Sequence, residues 1–413
     1  MNQRHALVIG GSLGGLFAAN LLRSIGWEVT VFERTQGDLG GRGAGLGTRA
    51  ELFDVMRRIG IPFDASIGAE VHSRIALDRN GDTLCEVPIR AVTTAWDRMY
   101  AALRSALPPQ CHRSGMLLER FEQDDRKIAA IFAEGSRVEG DLLIGADGIY
   151  STVRRQVMPE LKPRYAGYVG WRGVGKEGSA KVPFHPMVFR HMTFCFPEGE
   201  LALSTPMPGP DGAAQQPLRC YFNWFRPVEY GAALRQMCTD ASGQYHGDSI
   251  PPPLIRTDLI DALKAQARVL LAPQIAALIA QAERPVLQPI FDLESPRIVF
   301  GRAVLLGDAA FVARPHVGTG VTKAALDAQY LGDALLSAGN DMEAALLQYD
   351  GARRQFGTWL VSRGRYLGRY LEAQSKPHDQ RCEAGLVRHP ETFMREFGGA
   401  GVIEGALNDA WTS

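Results

Sequence analysis

Cysteine is scarce in this sequence, and its spacing has no pattern. None of the six cysteines lies in a C-x-x-C or C-x-x-H arrangement. Structural zinc sites and disulfide frameworks depend on regular spacing, so the sequence predicts no disulfide framework and no metal site. Scattered thiols are typical of a reducing compartment, and we therefore expect a cytoplasmic protein. The six residues are Cys85, Cys111, Cys195, Cys220, Cys238 and Cys382.

Long apolar runs and an excess charge of one sign are also missing. No glycine-free run reaches the length of about 18 apolar residues that a membrane helix requires. The 45 lysines and arginines balance the 45 aspartates and glutamates, so the formal net charge is zero. Such a chain has no general attraction to nucleic acid or to anionic membranes. The sequence predicts neither as a partner.

What the chain has instead is the composition of a large globular protein. Its 413 residues are 46% hydrophobic and 22% charged, without an internal repeat or low-complexity tract. At about 150 residues per domain, this length corresponds to two or three units.

Residues 5–34 predict a strand, a glycine turn, a helix and a second strand, within the length of one βαβ unit. Glycines at the turn allow close approach of a ligand, and the helix N-terminus favours a pyrophosphate there. The motif follows G-x-G-x-x-G except that Ser12 replaces the middle glycine. Glu33 comes 23 residues after Gly10, where an acid that binds a ribose hydroxyl is expected. The candidate contacts are Gly10, Gly11, Ser12, Leu13, Gly14, Gly15, Glu33 and Arg34.

The first half of the chain carries further candidates. Arg42 lies in a glycine-rich loop at 40–47 and is either a cofactor contact or an ordinary solvated arginine. Arg98 lies in the first turn of a helix predicted over 96–107, where a cation opposes the helix dipole unless an anion binds it. Asn80 and Gly81 predict a type I′ hairpin turn within 70–90.

Two strand ends carry an aspartate beside a glycine. Asp147-Gly148 follows a strand predicted at 142–144, and Gly307-Asp308 follows one at 303–306. Open α/β sheets bind ligands at the carboxyl ends of their strands. Because a carboxylate repels phosphate, we expect Asp308 to accept hydrogen bonds from a sugar or ribityl chain.

The predicted fold is α/β with an α+β insert: a Rossmann-like domain, a mostly antiparallel substrate-binding sheet and C-terminal helices. Residues 115–146 are predicted to add strands to the first sheet. Rings of the insert either form its core or line a pocket for a flat substrate. The predicted boundaries are 1–163 with a small β insert near 70–95, then 164–285, 286–375 and a tail at 376–413.

In this order, the glycine turn with Glu33, the Asp147-Gly148 turn and Gly307-Asp308 resemble the class A flavoprotein aromatic hydroxylases. These are single-component FAD monooxygenases related to p-hydroxybenzoate hydroxylase. The resemblance covers roughly residues 5–370. It is strongest for the 2,6-dihydroxypyridine 3-hydroxylase branch, which shares Ser12, a segment similar to 165–173 and Arg-Pro-His at 314–316.

The resemblance implies bound FAD, NADH or NADPH as a transient electron donor, and O₂. The substrate would be a small aromatic or N-heteroaromatic ring, such as a phenol or hydroxypyridine, oxygenated through a flavin C4a-hydroperoxide. A homodimer is implied as well. Matching family positions makes the following residues candidate FAD contacts: Arg42, Gly43, Arg98, Asp147, Gly148, Gly307, Asp308, Pro315, Gly318, Thr319, Gly320 and Val321.

One departure concerns proton transfer. Many family members have histidine directly after the Gly-Asp-Ala-Ala run, but this chain has Phe311 there. A general base near neutral pH would activate a phenol or hydroxypyridine, and histidine is suited to this role. We therefore consider His316 the first candidate, followed by Tyr221 and His191.

Three other functions remain open on the residues alone. A flavin halogenase or a geranylgeranyl-reductase-like enzyme has the same fold, although the halogenase segment Trp-x-Trp-x-Ile-Pro is missing. An FAD oxidase or dehydrogenase would need no NAD(P)H. A non-catalytic flavin-binding protein would bind FAD that NAD(P)H does not reduce.

Overall fold

The computed structural model describes residues 3–37, 39–40, 45–62, 67–178, 183–209, 218–374 and 389–398. Its strands are β1 (His5–Ile9), β2 (Glu28–Glu33), β3 (Gly45–Gly47), β4 (Ala69–Leu77), β5 (Thr83–Ala95), β6 (His112–Ser114), β7 (Leu118–Gln123), β8 (Ile128–Phe132), β9 (Arg137–Gly140), β10 (Leu142–Gly145), β11 (Arg164–Lys176), β12 (Met192–Cys195), β13 (Leu201–Met207), β14 (Arg219–Pro227), β15 (Val286–Glu294), β16 (Val299–Phe300), β17 (Ala303–Leu305) and β18 (Phe311–Val312). Its α-helices are α1 (Leu13–Ser24), α2 (Ala50–Arg58), α3 (Trp96–Ala106), α4 (Thr152–Val157), α5 (Ala232–Met237), α6 (Thr257–Leu270), α7 (Pro273–Gln281), α8 (Gly320–Ser337), α9 (Met342–Gln374) and α10 (Pro390–Glu396).

A six-stranded sheet contains the predicted nucleotide-binding turn and has the order β16-β17-β10-β1-β2-β6. Its strands run parallel except β16, which is antiparallel to β17. The central strands are buried on both faces, as their unbroken apolar sequences require. Helix α1 covers the face of β1 that carries Val8, and β9 covers the opposite face, which carries Leu7. The predicted strand, turn, helix and strand are confirmed as β1, α1 and β2.

A nine-stranded sheet lies beside it, in the order β18-β15-β11-β14-β13-β12-β4-β5-β3. Its pairs are antiparallel except β12 with β4, so the mostly antiparallel insert is confirmed. The hairpin β4–β5 belongs to this same sheet through its pairing with β12. The domain boundaries themselves stay a prediction.

We predicted that residues 115–146 add strands to the first sheet. That prediction is wrong for three of the four strands in this region. β7, β8 and β9 form a separate antiparallel sheet, whereas β10 joins the parallel one. The links between β7, β8 and β9 are short, and short links produce antiparallel hairpins because a parallel pair needs a long crossover.

The type I′ turn predicted at Asn80-Gly81 is also wrong. That turn needs positive φ at both residues, but Gly81 has φ +95° and no described non-glycine residue has a positive φ. The Asp78 carboxylate instead accepts hydrogen bonds from the amides of Asn80 and Asp82, both at 2.8 Å. This side-chain bond selects a longer connection.

Pro273 is the first residue of α7, a position that suits its fixed φ, and it separates α7 from α6. Of the helices formed by the described residues, none is both long and apolar enough to cross a bilayer. Within the same residues, no cluster of His, Cys, Asp and Glu is arranged to hold a metal ion.

Candidate cofactor and substrate cleft

A cleft of about 1660 Å³ is lined by both large sheets. One end is formed by the β1–α1 turn and the carboxyl end of β2, and the other by β11, β13 and β14. The residues that lead into α8 line the floor of the cleft. The cleft therefore spans the six-stranded sheet and the inserted sheet.

The β1–α1 turn has no room for side chains at two glycines. A Cβ on Gly10 would lie 2.4 Å from the Ala146 carbonyl oxygen, and Gly10 has φ +108°. A Cβ on Gly15 would lie 1.9 Å from the Gly10 carbonyl oxygen. Real Cβ atoms do not approach backbone so closely, so this turn requires glycine at both positions.

Glu33 lies at the end of β2, where its carboxylate is held by the backbone. Its two oxygens accept from the amides of Gly11 at 2.8 Å and Thr35 at 2.9 Å. Carboxylate oxygens have further lone pairs, so Glu33 retains capacity to accept a ribose hydroxyl. Arg34 is exposed beside it. The remaining turn residues Ser12, Leu13 and Gly14 also line the cleft.

Asp147 uses one carboxylate oxygen for structure and leaves the other unpaired. Its Oδ2 accepts from the amides of Thr152 at 2.7 Å and Val153 at 3.3 Å, at the start of α4. Its Oδ1 is buried and has no hydrogen-bond partner among the described residues. Burial raises the pKa of Asp147, and the hydrogen bonds around it oppose that shift. Gly148 follows with φ +79° and open space beside it.

The loop before α8 supplies donors at the cleft floor. Pro315, Gly318, Thr319, Gly320 and Val321 all line the cleft, together with Gly307 and Asp308. Gly318 adopts φ +62°. The buried hydroxyl of Thr319 has no hydrogen-bond partner among the described residues. Unpaired buried groups are costly, so Thr319 and Asp147 fit a site that a polar ligand such as FAD completes.

Of three further predicted contacts, Arg42, Gly43 and Arg98, the structure describes Arg98 alone. Arg98 donates to the Ile67 carbonyl at 2.6 Å and does not line the cleft. Burial lowers the pKa of Arg98, with Asp97 opposing that shift. Arg42 and Gly43 lie outside the described residues. All three contacts stay predictions.

Three polar side chains converge on the cleft from the inserted sheet. Arg172 on β11 lies opposite Asn223 on β14, and Tyr221 precedes Asn223 by two residues. Cross-strand partners and alternate residues share one face of a sheet, so the three side chains lie together. Each has a buried atom without a hydrogen-bond partner in the described structure: Arg172 Nε, Tyr221 Oη and Asn223 Oδ1.

Of these three, only Tyr221 was a sequence candidate. Burial raises its pKa, and the nearby Arg172 and Asn223 oppose the shift. The phenol therefore stays protonated near neutral pH and acts as a hydrogen-bond donor. Arg172 and Asn223 were missed because only the pairing of β11 with β14, which the sequence does not state, shows which residues face the cleft.

The two candidate histidines lie away from the cleft lining. His316 is fully buried, and its Nε2 lies 2.8 Å from the Tyr168 hydroxyl. His191 lies outside the cleft, with Nδ1 2.7 Å from Ser73 Oγ, and burial lowers its pKa. Direct contact with a substrate in the cleft is therefore disfavoured for both residues, and their catalytic roles stay predictions.

The C-terminal residues 389–398 form another wall of the cleft. Arg395, Phe397 and Gly398 line it. The Gly398 amide donates to the His316 carbonyl at 3.0 Å, and the Arg49 guanidinium donates to the Gly398 carbonyl at 2.5 Å. This contact joins the predicted tail to the loop before α8, which nothing in the sequence indicates.

Comparison with known proteins gives the following matches. A family described as "FAD binding domain" matches residues 3–175, and one described as "FAD binding domain-like" matches residues 165–292. The 2,6-dihydroxypyridine 3-monooxygenase of Paenarthrobacter nicotinovorans is 30% identical over 85% of this chain and 87% of its own. The solved 2,6-dihydroxypyridine-3-hydroxylase of Arthrobacter nicotinovorans has a TM-score of 0.83 and 26% identity, covering 94% and 97% of the two chains. Klebsiella pneumoniae HpxO, complexed with FAD and uric acid, has a TM-score of 0.76 and 25% identity, covering 98% and 96%.

Proposed function

The chain belongs to the FAD-dependent aromatic hydroxylases, the class A flavoprotein monooxygenases, and from this premise we propose that it hydroxylates an N-heteroaromatic ring bearing oxo or hydroxyl groups. NADH or NADPH donates the electrons, O₂ provides the oxygen, and the chain acts as a homodimer. One ring C–H becomes C–OH, the second oxygen atom leaves as water, and NAD(P)H supplies two electrons and a proton, with a further proton from solvent.

The polar cluster on the inserted sheet is the observation that carries the substrate class. Arg172 Nε and the protonated Tyr221 hydroxyl offer hydrogen-bond donors, whereas Asn223 Oδ1 offers an acceptor. A ring with an oxo group beside an N–H presents the matching acceptor and donor, as hydroxypyridines do in their lactam form. Paenarthrobacter 2,6-dihydroxypyridine 3-monooxygenase is named for such a ring, and HpxO holds uric acid, which has the same pattern.

The cofactor end of the cleft has residues that suit each part of FAD. The glycine turn at Gly10–Gly15 would face the pyrophosphate, and Glu33 the adenosine ribose. Asp308 would accept from the ribityl chain, and the amides of the 315–320 loop would face the flavin ring. When bound, FAD carries electrons from NAD(P)H and activates O₂ for transfer to the ring.

The protein's own contribution is to orient the ring and exclude water. Arg172 favours an anionic oxygen on the substrate, which makes the ring more electron-rich and more reactive toward an electrophilic oxygen. Phe225 and Phe397 provide apolar surface around this polar cluster. Buried apolar walls strengthen the polar contacts by keeping water out.

The experiment is to measure oxidation of NADH and of NADPH under air with single added compounds. We expect 2,6-dihydroxypyridine or urate to raise the rate by about tenfold or more over the basal rate. The product should gain one oxygen atom from labelled O₂ by mass spectrometry. Resorcinol is the matched control for 2,6-dihydroxypyridine. It keeps both hydroxyls but lacks the ring N–H from which Asn223 would accept a hydrogen bond.

Two outcomes would contradict the proposal. If resorcinol were oxygenated as efficiently as the pyridine, Asn223 would not select an N-heteroaromatic ring. If a compound bleached the flavin without NAD(P)H, and no oxygen entered the product, the protein would be an oxidase or dehydrogenase.

His316→Ala is expected to retain FAD but to slow turnover by about tenfold, because loss of one buried hydrogen bond is worth about 1–3 kcal/mol. The imidazole supports the loop before α8 from behind, through its bond to the Tyr168 hydroxyl. Tyr168→Phe removes only that hydroxyl and should produce part of the same loss. Visible spectra report FAD, and steady-state kcat reports turnover. Unchanged kcat across pH in both variants would show that neither residue supports turnover.

A further inference from the structure

A buried lysine lies beneath the cofactor end of the cleft. Lys323 is in the first turn of α8, and its side chain is only 2% exposed. Its ammonium nitrogen lies 3.5 Å from Asp327 Oδ2 and 4.0 Å from Asp308 Oδ1. It has no hydrogen-bond acceptor among the described residues. A buried ammonium is stable only where nearby charge compensates it, so its two carboxylate neighbours matter.

Asp327 already has other partners. Its Oδ1 accepts from Arg353 Nε at 2.7 Å, and its Oδ2 accepts from the Gly307 amide at 3.1 Å. Arg353 is also buried, so its positive charge largely neutralises the negative charge of Asp327. Lys323 is therefore shared between Asp327, which Arg353 already pairs, and Asp308, whose one ion pair in the described structure is with Lys323.

Asp308 is the member of this group that reaches the ligand. Its side chain is 57% exposed and lines the cleft. Partial loss of hydration raises the pKa of Asp308; Lys323 opposes the shift and Asp327 adds to it. The same carboxylate would accept hydrogen bonds from the hydroxyl groups of a ribityl chain.

We propose that Lys323 is a positioning residue for FAD binding, which keeps Asp308 ionised and oriented at the cleft floor so that Asp308 accepts hydrogen bonds from the ribityl hydroxyls. An ionised carboxylate accepts hydrogen bonds through both oxygens. A protonated carboxyl can accept fewer hydrogen bonds, because one of its oxygens carries a proton that it donates. The proposal rests on FAD occupying the cleft and is independent of which aromatic compound is the substrate.

The proposal has a pH signature. The groups facing Asp308 are Lys323 and Asp327 from α8, and behind them Arg353 and Tyr349 from α9. Removing the lysine charge leaves Asp308 near Asp327 without a counter-charge, so the pKa of Asp308 rises further. FAD affinity of such a variant is then weakest at low pH and recovers as rising pH ionises Asp308.

The test is titration of FAD into apoprotein, followed by quenching of flavin fluorescence, between about pH 6 and pH 8.5. We expect Lys323→Met to weaken FAD binding about tenfold near the acidic limit and about threefold or less near the basic limit. Lys323→Arg retains the charge and should stay within about threefold of the unmodified chain throughout. Asp308→Asn should bind weakly without this pH dependence.

A double-mutant cycle decides whether Lys323 acts through Asp308. In the Asp308→Asn background, Lys323→Met should cause no further loss, because there is no carboxylate left to ionise. An undiminished loss in that background would overturn the proposal, as would wild-type affinity at every pH for Lys323→Met. Lys323→Gln is measured in parallel, with apoprotein melting temperatures, so that misfolding of one variant does not decide the result.

Discussion

Gly15→Ala is expected to abolish FAD binding, with affinity falling more than about 100-fold. The new Cβ would lie 1.9 Å from the Gly10 carbonyl oxygen, which belongs to the same β1–α1 turn. Neither atom is at the end of a flexible side chain, so the collision is relieved only if the turn opens. Opening the turn separates its amides from the N-terminus of α1, and these donors act together on the pyrophosphate.

Gly14→Ala is the matched control, because it makes the same change one position earlier. Its Cβ would lie 3.3 Å from Leu306 Cδ2, the far end of a flexible side chain that can shift. We expect Gly14→Ala to bind FAD within about threefold of the unmodified chain. FAD content from the visible spectrum and affinity from fluorescence titration measure both variants. Full FAD occupancy in Gly15→Ala would show that the pyrophosphate does not bind at this turn.

Arg172→Met is expected to retain FAD and to lower kcat/KM for the N-heteroaromatic substrate by about 10- to 100-fold. Hydrogen bonds to charged groups contribute about 1.5–3 kcal/mol, and each 1.4 kcal/mol corresponds to about tenfold. Methionine keeps much of the length and apolar stem of arginine, so packing against β14 changes little. The loss should therefore report the missing donor opposite Asn223.

Two further variants make this result specific. Arg190→Met makes the same chemical change at an exposed position that does not line the cleft, and it should leave kcat/KM unaltered. Tyr221→Phe removes only the hydroxyl and should give a smaller loss than Arg172→Met. If Arg172→Met kept full kcat/KM while Tyr221→Phe lost it, Tyr221 alone would hold the substrate oxygen. Loss of FAD from Arg172→Met would instead place Arg172 at the cofactor.

His316 shows how the orientation of a side chain can separate it from its neighbours in the same loop. The family resemblance implied that Pro315 and Gly318 belong to an FAD-binding loop; both line the cleft, and their contacts with FAD stay predictions. The imidazole between them, however, points into the protein, toward Tyr168 and Phe225. Backbone direction within a loop decides such orientations, and the neighbouring residue types did not indicate it.

The sequence by itself determined the parts of this protein whose structure depends on local geometry. The β1–α1 turn needs glycine where backbone atoms nearly touch, and Glu33 follows because the strand after the helix has a set length. The same holds for the Gly307-Asp308 turn. These features lie within a few tens of residues, so the spacing of glycines, acids and apolar residues was sufficient to predict them.

Only the tertiary structure decided what lies at the substrate end. Arg172 meets Tyr221 and Asn223 because β11 pairs with β14 in one register, and a one-residue slip would turn these side chains to the other face. Phe397 reaches the cleft from a segment far along the chain, and Lys323 meets Asp308 because α8 packs beneath the strand end. Contacts between distant segments depend on how whole sheets and helices pack, and no local pattern in the sequence encodes them.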